Sequence, residues 1–450
     1  MSRVSRHKRY RIKWPRMIAS LAIVALLVVI LVAGARARNR ADVPDPSAAN
    51  DPVQRQEEPQ ENPTPKFPEP VSIDIYCLGD LMAHKTQLDA AYDSASGSYS
   101  FDECFENVKD ITQSADLLLA NVETIFKGKG PYTGYPDFNT PDSYAETIVN
   151  TLGVDVACFA NNHMLDGGMD NLKRSVQLFR DMGVETAGFR FDGEERYTIV
   201  EVKGVKIGIV NYCFETPQNG GRRTLQAGIL SEEALERINH FGYEDFDGDM
   251  AMIGDQIAAC KLAGADIVVC YMHWGEEYQR SGNSYQRAIA KKLAGYGADI
   301  IFGSHPHVLQ EIDCVEVERD GDSTKIVPVY YSLGNFISNQ RAETLNNRYT
   351  EQGMIAGVNV VWNFEYNKIE MISFGCTPTW VDRYKDNAGK YHYSLVPLGE
   401  EYRDNDYYDG LSNLKTSGHT NRVLQAIDDV NALLGSDYVG LWKQKIIYIQ

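Results

Sequence analysis

No Cys-x-x-C pair occurs in the 450 residues, although the chain holds eight cysteines. That absence argues against a cysteine zinc site. Four of the cysteines (Cys77, Cys158, Cys213, Cys270) lie inside apolar, strand-like runs. There a thiol acts as a small hydrophobe, so they read as core residues. Acid is missing from the first forty residues, which carry ten Lys and Arg. Base is scarce in the remainder, where 34 Lys and Arg face 62 Asp and Glu for a net charge of −28. So acidic a body excludes general nucleic-acid binding, because sequence-independent phosphate contacts need a basic face. It also repels an acidic polymer, except where cations or local basic groups intervene.

One long apolar run is present, Met17 to Ala35. As a helix it would span roughly 28 Å, about the thickness of a bilayer core. Seven bases precede it and three follow, Arg36, Arg38 and Arg40. This bias predicts a basic cytoplasmic head (1–16), a single transmembrane anchor (17–35) and a main domain outside the cell membrane. A cleaved signal peptide is the competing reading. The run is long for one, and Ala33-Gly34-Ala35 is followed by arginines, so the uncleaved anchor is preferred. Residues 36–70 read as a Pro- and Glu-rich disordered linker, since eight of the seventeen prolines fall between 41 and 70.

From Val71 strand-like and helical runs alternate. Strands are expected at 71–78, 117–120, 154–159, 266–272 and 299–302, and helices at 101–111, 143–152, 169–182, 250–262 and 284–296. Hairpins are expected around Lys203-Gly204 and Asp320-Gly321-Asp322, with two further strands over 354–364 and 368–375. Alternation first and hairpins later predict a mixed α/β sandwich over 71–398. Residues 399–450 are acidic and Tyr-rich, then helical around Val423–Leu434, and are expected as an appendage.

Five of the strand-like runs end in chemistry-bearing residues: Asp80, Glu123, Asn162-His163, His273 and His305-x-His307. The carboxyl ends of strands are where α/β proteins present their sites. Carboxylate, amide oxygen and imidazole together form the mixed N/O set that suits manganese, zinc or iron. An Asp after Gly is by itself usually a turn. Turns do not select for ligand types at five strand ends.

Six motifs run in order over residues 71 to about 340: Gly79-Asp-Leu-Met82, Asn121-Val-Glu123, Asn161-Asn-His163 with Asp166-x-Gly168, His273-Trp-Gly-x-Glu-Tyr278, Gly303-Ser-His-Pro-His-Val308 with Gln310, and Tyr331-Ser-Leu-Gly-Asn-Phe336. Together they resemble the CapA-type poly-γ-glutamate capsule protein family, of the calcineurin-like metallophosphoesterase superfamily. The resemblance implies a four-layer sandwich of two mixed sheets flanked by helices. It also implies a divalent metal site, with Asp80, Glu123, Asn162, His273, His305 and His307 in the ligand positions. Asn162 and His163 fall where that superfamily has catalytic residues. His84, Asn161, Asp166, Glu276 and Asn335 are expected around them, supporting ligands or touching substrate. Two departures stand out. The superfamily's first motif is Asp-x-His, whereas Met82 follows here and His84 lies four residues beyond Asp80. The bridging position holds Glu123, one methylene longer than Asp.

Three other features are discounted. Asp245-Phe-Asp247-Gly-Asp249 lacks the bidentate Glu of a calcium loop, since its twelfth position is Gln256. Trp274 fits packing about as well as ligand stacking. Arg222-Arg223 reads as a solvated loop before it reads as an anion site. Two functional readings stay open. One is a metal-dependent hydrolase acting on a phosphoester or an anionic polymer. The other is a non-catalytic assembly subunit beside the membrane subunits of a capsule polymer synthetase.

Overall fold

The computed structural model describes residues 67–318, 324–399, 414, 419–435 and 444–448. The basic head, the run 17–35, most of the linker and the turn at Asp320-Gly321-Asp322 lie outside the described residues. Among the described residues no helix is long and apolar enough to cross a membrane.

The strand-like runs pair into two mixed sheets. In the larger, nine-stranded sheet the order is Tyr391–Pro397, Lys368–Lys385, Gln352–Asn363, Val71–Leu81, Leu117–Val122, Val156–Cys158, Glu185–Ala187. Asn335–Ile337 also pairs with Val71–Leu81, and Gln444–Tyr448 with Lys368–Lys385. Strand Val71–Leu81 is parallel to Leu117–Val122, with Cys77 opposite Leu119, and antiparallel to Gln352–Asn363. The seven-stranded sheet runs His240–Phe241, Val205–Phe214, Ile267–His273, Ile300–Ser304, Thr324–Tyr330, Ile312–Glu318, with Thr198–Val202 beside Val205–Phe214. Its central strands are parallel, and both hairpin partners, Thr198–Val202 and Ile312–Glu318, are antiparallel.

Side-chain alternation decides the layers. Ile73, Ile75 and Cys77 point between the sheets, where they share a core with Ile207, Ile209, Val269 and Phe302. Their neighbours Tyr76 and Leu78 point the other way, onto helices Asp142–Asn150 and Met169–Asp181 through Tyr144, Ile148, Val176 and Phe179. On the second sheet Val268, Cys270 and Met272 face helices Phe246–Leu262 and Ser284–Tyr296. Helix, sheet, sheet, helix is the resulting order of layers. No disulfide joins Cys77, Cys104, Cys158, Cys213, Cys260 or Cys270, and all but Cys104 are buried.

Three expectations are revised. The helix read over 101–111 is broken into a 3-10 turn, Asp102–Phe105, and a single turn, Lys109–Thr112. Between them Asn107 donates to Ser394 Oγ and to the Leu395 carbonyl (2.9 and 3.0 Å), a tie to the edge strand at the break. Of the stretch 399–450, helix Thr420–Leu434 places Val423, Ile427 and Val430 in the inter-sheet core, and Gln444–Tyr448 extends the larger sheet. Arg223 is not in a solvated loop. It lies on strand Arg222–Leu225, ion-paired to Glu215 (2.6 Å) and Asp249 (2.6 Å).

Candidate metal centre

Both sheets end their parallel strands on the same side, and the expected site residues meet there. The approach begins at Gly79. A Cβ on this residue would stand 2.1 Å from the Gly334 carbonyl oxygen. Only glycine lets the two backbones close, so that Asp80 N–H donates to that oxygen at 3.0 Å. The ladder shifts register between Leu78 and Asp80. Just below, the Tyr271 hydroxyl donates to the Leu78 carbonyl (2.7 Å), tying one sheet to the other.

Asp80, Glu123 and His273 offer ligand atoms within 4.8 Å of one another. Asn121 holds the group together. Its amide nitrogen donates to Asp80 Oδ1 (2.8 Å) and Glu123 Oε2 (3.0 Å), and its oxygen accepts from Asn161 Nδ2 (3.1 Å). His307 Nδ1 lies 2.9 Å from Asp80 Oδ2 and 3.1 Å from Asn335 Oδ1. Both partners are acceptors, so Nδ1 carries a proton and Nε2 is the nitrogen left to face the cluster. That Nε2 and His273 Nε2 each stand 3.8 Å from Glu123 Oε1. Asn162 Oδ1 is 2.8 Å from His273 Nε2, and the His305 ring is centred 4.8 Å from that of His273.

The backbone is strained where two of the imidazoles enter. His305 and His307 have φ of 100° and 56°, with Pro306 between them. Such angles persist in non-glycine residues only where surroundings enforce them, and they gather at functional sites. Here Tyr278 N–H holds the Pro306 carbonyl (2.8 Å) and Asn335 Nδ2 holds the His307 carbonyl (3.3 Å).

Burial separates the titrations. It pushes Glu123 well above the usual carboxylate range, and repulsion from Asp80 adds to this. Burial also works on Asp80, but the hydrogen bond and charge of His307 outweigh it and hold that carboxyl below its ordinary value. His305 is lowered to about 4 by burial and by the charge of His307. His273 is lowered well below its ordinary value by burial and by the neighbouring imidazoles. Both rings are therefore neutral, with lone pairs to offer.

Beside this cluster lies His163, whose Nδ1 is 2.9 Å from Asp166 Oδ2. The Phe138 ring meets it edge-on at 4.6 Å, and the Phe138 N–H donates to the same Asp166 oxygen (2.8 Å).

The profile described as bacterial capsule synthesis protein PGA_cap matches residues 74–340, more than half of the chain. The chain belongs to that family. This PGA_cap chain is 28% identical over 255 residues to the capsule biosynthesis protein CapA of Bacillus anthracis, covering 54% of this chain and 55% of the relative. It is 26% identical to the PGA biosynthesis protein CapA of Bacillus subtilis, covering 53% and 57%. A probable polyglutamine synthesis accessory protein of Mycobacterium tuberculosis is 25% identical, covering 50% and 56%. The chain thus spans little more than half the length of the curated relatives it matches. A crystal structure described as a novel phosphatase from Mycoplasma pneumoniae aligns with 76% of this chain and 99% of its own at 13% identity, with a TM-score of 0.37. A likeness of that size carries no argument about activity.

The donor set of this PGA_cap chain fits a divalent cation on its own chemistry. Glu123 Oε1 and His305 Nδ1 are buried without a hydrogen-bond partner. Native interiors rarely leave such atoms bare. Both belong to groups that ligate, and a mixed oxygen and nitrogen set suits Mn, Zn or Fe.

The expected supporting residues divide. Asn161, Asp166 and Asn335 hold parts of the site as described. His84 turns its Nε2 to Ser338 Oγ (3.1 Å). Burial, with the charges of His307 and His163, lowers it to about 3. The Met82 side chain is buried, with Ser338 Oγ 3.7 Å from its sulfur. Glu276 and Glu277 are both exposed; the charge of Glu277 acts on Glu123, His305 and His307, and that of Glu276 on Tyr243. Trp274 is a packing residue, fully buried, its Nε1 donating to the Tyr331 carbonyl (2.8 Å). Asn121 and Gln226 were not assigned from sequence. The first could have been found from its place two residues before Glu123, the second from nothing local.

Proposed function

We propose that the chain acts in the synthesis or export of an anionic capsule polymer of the poly-γ-glutamate type, and that its strand-end cluster is a metal-dependent phosphoester hydrolase centre. The observation that carries the second part is the convergence of Asp80, His273 and His307 on the unpartnered oxygen of Glu123. Asp80, Glu123, Asn162, His273, His305 and His307 would hold the ion. When bound, such an ion supplies Lewis-acid polarisation of a phosphoryl oxygen and acidifies water. His163 supplies the proton for the leaving oxygen. Asp166 at its Nδ1 fixes the ring so that Nε2 is the atom that gives the proton. Elemental analysis of the purified full chain tests this, with the His305→Ala/His307→Ala double variant beside it. Near-stoichiometric transition metal that the variant loses supports the centre. Wild type that takes up neither manganese nor zinc overturns it.

Met82, in the place of the Asp-x-His imidazole, favours a second reading: a non-catalytic assembly subunit that uses the fold to hold polymer ends or synthetase subunits. The two readings separate on hydrolysis, since this one predicts that no ester is cleaved while polymer export still requires the chain. In both readings residues 17–35 anchor the protein once in the cell membrane, with the main domain outside, among the membrane subunits of the synthetase. The charge asymmetry of residues 1–40 supports that orientation. Deleting 17–35 is expected to abolish export, and a soluble domain that restores it would remove the anchor from the proposal.

A further inference from the structure

A small hairpin sheet, Thr216–Asn219, Arg222–Leu225 and Gly228–Ile229, roofs the site beside His163. Its tip is the two-residue turn Gln226-Ala227, with φ of 48° and 60°. Two successive positive angles ordinarily call for Asn-Gly. Their cost is offset by local ties: Ala227 N–H donates to Thr216 Oγ1 (3.0 Å), and Arg223 pins the hairpin to Glu215 and Asp249. The turn delivers Gln226, whose Nε2 is 3.0 Å from His163 Nδ1 and 2.9 Å from its Nε2. A nitrogen equally close to both lies against the ring between them, not in line with either.

Beneath the hairpin is a cavity of about 420 Å³ that shares Asn162 and Asp166 with the site. Leu165, Met169, Leu225, Ile229 and Ala234 line it, and no lining residue is basic. Its two carboxylates are already engaged. Asp137 accepts from Lys127 Nζ (2.7 Å), and Asp166 serves His163 and the Phe138 N–H. The ammonium at its edge, Lys127 Nζ, is taken up by Asp137, so a polycarboxylate entering here would find no free cation among the lining residues, and a cation would find both acids engaged.

We infer that this cavity is the subsite for the leaving group of the hydrolysed ester, and that it takes an uncharged, partly apolar alcohol, with Gln226 as its polar contact. The inference rests on the hydrolase reading of the metal centre. It places the scissile bond between a phosphoryl group and a neutral alcohol, not within a run of glutamates. Water attacks phosphorus, the P–O bond to the alcohol breaks, the proton on His163 Nε2 passes to the departing oxygen, and the proton released by the attacking water goes to solvent, from which His163 is reprotonated.

Calorimetric titration of the full chain with manganese tests it, using methylphosphonate, benzylphosphonate and 4-carboxybenzylphosphonate as non-hydrolysable probes. Benzylphosphonate is expected to bind about tenfold tighter than methylphosphonate, the gain from burying one ring. The 4-carboxyl group should erase that gain. So should Ile229→Glu, a charge placed at a side chain that is 40% exposed. Equal binding of the methyl and benzyl probes, or tightest binding of the carboxylated one, overturns the subsite alone. Failure of all three to bind overturns the metal-centre reading and the subsite with it.

Discussion

Glu123 is buried completely, and its carboxyl is pushed well above the ordinary range first by that burial and then by Asp80. A charge kept there without a cation is costly. Glu123→Gln is therefore expected to leave the melting temperature of the metal-free protein unchanged or raised, while elemental analysis shows the metal lost. A lower melting temperature would mean that the carboxylate stabilises the fold by itself. Asp166 makes a different case, because it acts through His163. Under the hydrolase reading Asp166→Asn is expected to lower kcat by about a hundredfold with KM little changed, the size of a general-acid contribution. An equal rise in KM would assign Asp166 to substrate binding. At this scale the sequence was largely legible, since ligand-type residues stood at strand ends. Glu276 and Glu277 follow one another after Gly275 (φ 91°), and the sequence alone does not say which of their charges acts on the imidazoles.

Among the elements, the long central strands and amphipathic helices could be read because their apolar periods are long enough to register. Strand Ile267–His273 and helix Ser284–Tyr296 lie within a residue of their expected bounds. The hairpin at 216–229 was invisible. Its strands have two to four residues, one holds Pro217, and it is fixed by ion pairs of Arg223 to Glu215, just before it, and to Asp249 instead of by its own pattern. Arg223 carries that fixation, donating to Glu215 and Asp249, which are 1% and 5% exposed. Arg223→Ala would leave Glu215 to His240 Nδ1 and Asp249 to the Gly242 N–H, two buried carboxylates without their guanidinium, a loss of about 3 kcal/mol. Chemical denaturation should show it, together with faster hydrogen exchange over 216–229. Arg222→Ala, at an exposed side chain of the same strand, should stay within about 0.5 kcal/mol of wild type.

Across the whole molecule, the two sheets are closed at one edge by the C-terminal helix Thr420–Leu434. Arg422 from this helix donates to both oxygens of Glu351 (2.7 and 2.6 Å), a residue that is 1% exposed and also accepts from Trp380 Nε1. Ending the chain at residue 399 would strip that cover from the apolar core and leave Glu351 with Arg341 in place of its two-oxygen contact to Arg422. The expected result is a lower unfolding midpoint and binding of a hydrophobic dye, and an unchanged midpoint would assign the segment no part in stability. Composition alone set this stretch apart as an appendage, because its acidic, Tyr-rich first half hides the apolar stripe that follows.

The thiols offer a practical consequence. Burial raises the Cys77 thiol well above its ordinary value and pushes Cys104 and Cys260 up to about 12, so none of these presents a thiolate while the sandwich is closed. Cys77 and Cys260, both buried, are silent reporters placed in different layers. An alkylating reagent added to the native protein will mark Cys77 only as often as the two sheets part, and Cys260 only as often as the outer helices lift. The pattern of marks, read peptide by peptide, records which layer opens first.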